Sequence, residues 1–104
     1  MKLRYSAESL ADIRSIGRFI AQDNPSAAQS VVRRIRAAAR RLQRNPYIGH
    51  KGAARGTLEW VVKGLPYVIV YEVREDIREL GIISVVHGAQ RGGKPETNEE
   101  DWDT

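Results

Sequence analysis

Two stretches of this chain are apolar at nearly every position: Pro66-Tyr67-Val68-Ile69-Val70-Tyr71-Glu72-Val73 and Leu80-Gly81-Ile82-Ile83-Ser84-Val85-Val86. A strand with one wet face alternates, so apolar residues at odd and even positions alike predict strands buried on both faces, inside a sheet rather than at its edge. Residues 57–63 do alternate, Leu58, Trp60 and Val62 against Thr57, Glu59 and Val61, and predict a third strand. Gly64 with Pro66, and later Glu75-Asp76, supply the turns that join these three as an antiparallel meander. Residues 2–5 predict a further short strand.

Between the first strand and the meander the period changes from two to that of a helix. Ser6 suits an N-cap, and Leu10, Ile13, Ile16 or Gly17, and Ile20 recur at helical spacing to about residue 22. Asn24-Pro25 restarts the pattern, because Asn caps a helix and Pro suits its first position. Ala28, Val31, Val32, Ile35, Ala39 and Leu42 then form an apolar stripe that ends before Pro46. With only Asp23-Asn24 between them the helices must be antiparallel neighbours, and their stripes need a common cover. The segment Tyr47-Ile48-Gly49-His50-Lys51-Gly52 reads as a loop. The expected fold is α+β, in the order β-α-α-β-β-β, with an N-terminal αα-hairpin packed on one face of a small, mostly antiparallel sheet.

A length of 104 residues allows one domain with a modest core. The absence of cysteine excludes a disulfide framework and the Cys-rich zinc signatures, and a reducing compartment follows most simply. No apolar run approaches a membrane span, and Met1-Lys2-Leu3-Arg4-Tyr5 lacks the apolar core of a signal peptide, so a cytoplasmic protein without membrane contact is expected. Two histidines with no cysteine make a metal site improbable, and no cofactor is expected. Charge divides the chain. Residues 94–104 hold Lys94 against five acidic residues, a net of −4, which leaves +8 on residues 1–93. We therefore expect a basic domain over 1–93 and a flexible acidic tail over 94–104.

Five pieces in this order carry a resemblance: Asp23-Asn24-Pro25-Ser26-Ala27-Ala28; Asn45-Pro46-Tyr47-Ile48-Gly49 closing an Arg- and Ala-rich helix; Gly56-Thr57-Leu58-Glu59; the run from Pro66 to Val73; and His87-Gly88-Ala89-Gln90 after the last strand. Together they resemble the RelE/ParE superfamily of bacterial toxins, over residues 2–91. The resemblance implies the toxin of a type II toxin–antitoxin module of the plasmid-stabilisation type, which inhibits growth and is neutralised in a hetero-oligomer by a small cognate antitoxin. One branch of that superfamily cleaves mRNA on the ribosome; the other poisons DNA gyrase and cleaves no RNA.

Metal-free RNA cleavage needs a base for the 2′-hydroxyl, an acid for the leaving oxygen and cations around the phosphate. The candidates are His87, Tyr71, Arg55 and Arg91. Against each stands a plainer role: a hydrogen-bonded structural histidine, a tyrosine packing a sheet face, solvated arginines. The predicted strand 57–63 carries only Glu59 and Lys63 as ionisable groups, and a glycine pair with an acidic tail replaces the usual basic, aromatic ending. That departure favours the gyrase-directed reading over the nuclease, and hence a toxin that is not an enzyme. The second predicted helix holds Arg33, Arg34, Arg36, Arg40, Arg41 and Arg44. Such a run is either the wet face of an amphipathic helix, a grip on nucleic acid, or a surface for an acidic partner. The antitoxin is expected to meet Arg33, Arg36, Arg40, Arg44 and Trp60, wrapping the helix pair with a segment that orders on binding.

Overall fold

The computed structural model describes residues 1–90; Arg91 and the acidic segment 94–104 lie outside the described residues. The chain runs β1 (Lys2–Tyr5), α1 (Ala7–Ala21), α2 (Pro25–Arg44), β2 (His50–Lys51), β3 (Leu58–Val61), β4 (Tyr67–Arg74) and β5 (Glu79–His87), with single 3-10 turns at Glu75–Ile77 and Gly88–Gln90. The sheet order is β1-β5-β4-β3-β2, so the two all-apolar runs are interior strands, as their pattern requires. β3, β4 and β5 form the antiparallel meander, and β1 closes the other edge parallel to β5, from Lys2 opposite Glu79 to Tyr5 opposite Ile82.

Both helices begin at the residues whose chemistry marks them. The Ser6 hydroxyl accepts from the Ser9 N–H at 2.9 Å, and the Asn24 side chain accepts from the Ala27 N–H at 3.0 Å with Pro25 behind it. Ser6 also donates to the Ile83 carbonyl at 2.7 Å, and the Asp12 carboxylate accepts from the Val85 N–H at 2.9 Å. These two side chains satisfy the edge of β5 where β1 has already ended, and they fix α1 to the sheet.

The helix stripes and one sheet face enclose the main core, in which Ile35, Ala39, Leu42, Ile69, Tyr71, Leu80 and Ile82 are fully buried. A second, smaller cluster, Val68, Val70, Ile83 and Val86, lies on the opposite face. A bulge between Val70 and Tyr71, which pair with Ser84 and Ile82, leaves Ile83 as the extra residue and turns it outward. At the far end of that outer face Arg4, Glu79, Arg74 and Glu72 form a chain of ion pairs at 2.9, 3.3 and 2.7 Å.

The loop expected over residues 47–52 contains a strand. His50 and Lys51 pair with Glu59 and Leu58, held by a tight connection in which the Gly52 N–H donates to the Thr57 carbonyl at 2.8 Å and the Thr57 hydroxyl to the Ala54 carbonyl at 2.6 Å. Two polar residues carry no strand period, so pairing here follows from the hairpin and not from side-chain pattern. The strand expected over 57–63 is shorter, because Gly64 at φ +77° already turns the chain and the Val62 N–H closes the hairpin on the Tyr67 carbonyl at 3.0 Å.

Candidate functional site

The residues proposed for proton transfer are spread over the sheet. Tyr71 is buried in the main core, and its hydroxyl donates to the Pro46 carbonyl at 2.7 Å while accepting from the Gly49 N–H at 3.1 Å. Burial raises its pKa above the ordinary tyrosine value, with the Gly49 hydrogen bond pulling weakly the other way. Gly49 is required there, since a Cβ would collide with the Tyr71 hydroxyl and lie 2.9 Å from the Glu59 carbonyl oxygen. Tyr71 thus pins the segment that leaves α2.

His87 stands exposed at the end of β5, opposite Tyr67. Tyr71 lies four positions along β4 from Tyr67, roughly 13 Å at strand spacing. The His87 ring meets Tyr67 edge-on, centroids 6.1 Å apart, and its Nδ1 accepts from the Ala89 N–H at 3.2 Å. Asp12, Phe19, Tyr67 and His87 border a shallow cleft of about 370 Å³ between α1 and the strand ends. Arg55 is exposed in the connection before β3, beyond the Leu58–Tyr71 pair and therefore at the other end of the sheet from His87. Arg91 falls outside the described residues. Among the described residues, then, the nuclease candidates do not converge on one phosphate-sized space.

The arginines of α2 are arranged around two grooves. Arg33, Arg36, Arg40 and Arg44, spaced by three or four, share one side of the helix. Arg33 and Arg36 border a groove of about 620 Å³ between α1 and α2, whose floor is Gly17, Ala21, Ala28 and Val32 and whose other rim is Arg14 and Arg18. Four guanidinium groups over an apolar floor, with no acidic residue lining it, suit an acidic amphipathic segment. Arg36 also lies over the Tyr5 ring at 5.0 Å. On the other side of α2, Arg41 stacks on Trp60 at 5.6 Å and Arg34 donates to the Lys63 carbonyl, bordering a second groove with Ala38 and Val62. Trp60 therefore belongs to a different groove from Arg33 and Arg36, while Arg40 and Arg44 are exposed on the crest between them. Arg14 and Arg18 join the site unexpectedly, and the one signal for them in the sequence is their spacing of four beside Ile13 and Gly17, which places both on one rim.

The chain superposes on a solved chain described as "Chromosomal ParDE TA system from P. aeruginosa" with a TM-score of 0.74, at 20% identity, covering 84% of this chain and 95% of that one. The model of the family described as "ParE toxin of type II toxin-antitoxin system, parDE" matches residues 3–92. The chain belongs to this ParE toxin family. It is also similar to a putative toxin, Y4kP, of Sinorhizobium fredii, 33% identical over 90 residues that span 86% of this chain and 91% of the relative. None of the helices among the described residues is long and apolar enough to cross a membrane.

Proposed function

We propose that this protein arrests bacterial growth by binding its target rather than by cutting RNA, that the target is DNA gyrase, and that a cognate antitoxin silences it from the groove between α1 and α2. The observation that carries the reading is the placement of Tyr71, whose hydroxyl is committed to Pro46 and Gly49 roughly a dozen ångströms from His87. General acid–base catalysis needs both partners within hydrogen-bond reach of one substrate. Membership of the ParE family supports the gyrase target, and the fold shared with a chain of a ParDE complex supports the antitoxin. An acidic, amphipathic antitoxin segment fits the four arginines and the small-residue floor.

The test is induced expression in a bacterial host. Growth should stop, gyrase should be trapped on cleaved DNA with a DNA-damage response, and no new mRNA ends should appear; co-expression of a small antitoxin encoded beside this gene should restore growth. In the same assay His87→Ala should weaken toxicity only in proportion to lost contact. Discrete mRNA cuts that vanish in His87→Ala would overturn the binding reading in favour of a ribosome-dependent endoribonuclease, for which proton transfer is worth on the order of 10²–10⁴ in rate.

A further inference from the structure

The β2 edge of the sheet is only half closed. β2 pairs with two residues of β3, His50 with Glu59 and Lys51 with Leu58, and goes no further, because the Tyr71 hydroxyl holds Pro46 and Gly49 and draws the preceding chain away. Beyond Glu59 the edge is bare. The Val62 N–H donates to Tyr67 of β4, and in an antiparallel ladder successive residues turn their backbone groups to opposite sides, so those of Val61 and Lys63 point away from β4, to the side that β2 has left. The Lys63 carbonyl is taken by Arg34. Among the described residues nothing pairs with the N–H and carbonyl of Val61 or with the Lys63 N–H. The Val61 side chain stands 46% exposed. Such an edge is a template for a further strand.

Beside this edge lies the groove between α2 and β3, about 510 Å³, whose walls carry Ala38, Trp60 and Val62 as apolar surface and Arg34, Arg41 and Lys63 as charge, with no acidic residue. A strand added to β3 sets alternate side chains over that groove. We propose that the toxin grips its target protein here, by adding an extended acidic segment of that protein to β3 at Val61–Lys63; this rests on the reading above that the protein acts by binding a target. The free backbone groups of Val61 and Lys63 fix the segment's register, its apolar side chains meet Trp60 and Val62, and its carboxylates meet the Arg41 guanidinium and the Lys63 ammonium. The same charges disfavour a second copy of this chain, whose own edge is equally basic. The open edge and the groove proposed for the antitoxin lie on opposite sides of α2, so target and antitoxin have separate seats, one bounded by a sheet edge and the other by two helices. A helix is only about 10 Å across, and an antitoxin reaching past the crest of Arg40 and Arg44 covers the second seat from the first.

Two substitutions in the full-length protein test this. Val61→Pro removes the edge N–H and leaves the pairing with β4 in place, since that N–H points away from β4; Lys63→Glu reverses the charge at the end of the edge. Binding is measured to purified gyrase and, separately, to the cognate antitoxin. Both variants should bind gyrase about tenfold or more weakly and lose growth arrest to match. Antitoxin affinity should stay within about twofold, because the two sites share no residue. Val61→Thr keeps the N–H and should behave as the unsubstituted chain. Thermal unfolding identifies a variant that fails to fold, and if Val61→Pro does so, Lys63→Glu, exposed and outside the strand, decides. Unchanged gyrase affinity in the folded variants would overturn the proposal. So would an antitoxin affinity that falls together with gyrase affinity, because the antitoxin would then hold the edge, or a dimer in sedimentation that Val61→Pro dissociates, because a second copy would. An unsubstituted chain that bound no gyrase would instead sink the reading of the target, and this proposal with it.

Discussion

Tyr71 shows how far a residue's chemistry depends on what its polar atom meets. From the sequence it is a tyrosine in a strand of a toxin-like chain, equally able to move a proton or fill a core. Its hydroxyl partners are the carbonyl of Pro46 and the amide of Gly49, 25 and 22 residues away in sequence, and nothing in a strand pattern announces them. The placement makes a definite prediction. Tyr71→Phe leaves those two backbone groups without their partner, and should destabilise the fold by about 1–3 kcal/mol in urea denaturation. Toxicity should fall only as the folded fraction falls. The pH dependence has a sign. Burial holds the folded-state pKa above the ordinary 10.0, so the stability linked to this proton is fully present below that pH and is lost as pH rises through the higher folded value. Stability measured against pH should therefore drop more steeply on the alkaline side in the unsubstituted protein than in Tyr71→Phe.

At the scale of elements, most of the architecture was legible because caps and periods agree. Ser6, Asn24-Pro25 and the two apolar runs each mark their element within a residue or two of its observed bounds. β2 was not legible, since a two-residue strand has no period, and neither was the division of the α2 arginines between two grooves, which depends on where β3 passes the helix. Ser6 gives one element-level prediction. It caps α1 and also holds the Ile83 carbonyl, so Ser6→Ala should cost about 1–2 kcal/mol for the cap alone and more for the orphaned carbonyl, measured by thermal or urea unfolding. The groove gives another. Reversing one charge on each rim, Arg18→Glu with Arg33→Glu, should slow antitoxin association by about tenfold or more at low salt, with a smaller change in dissociation. At an ionic strength that screens charges beyond a few ångströms the difference should shrink, and stopped-flow rates at two salt concentrations would measure it. An association rate indifferent to both changes would remove this groove from the encounter surface.

Over the whole molecule, the sheet is closed by its two ends in sequence: β1 lies against β5, with Lys2 opposite Glu79. The main core draws on both, Tyr5 and Leu80 included, and the polar groups of β5 beyond β1 are completed by Ser6 and Asp12. Removing either end takes the floor from under the helix pair. A chain stopped at Arg78 lacks β5 entirely and should show no cooperative unfolding transition by circular dichroism, whereas a chain stopped after Arg91 should keep one.

The same closure governs when the protein becomes dangerous. Contacts between residues nearly eighty positions apart form late and slowly, because the intervening chain must first be confined. While it is being synthesised the protein holds a helical hairpin with no completed sheet beneath it, and only when the last strand has left the ribosome can the pairing with the first be made. On the proposed function, fragments from interrupted translation should lack toxicity, which growth of cells expressing a chain stopped at Arg78 would check. On the same proposed function, the interval between the first codon and that final strand is time in which the cognate antitoxin can be made before the toxin is complete.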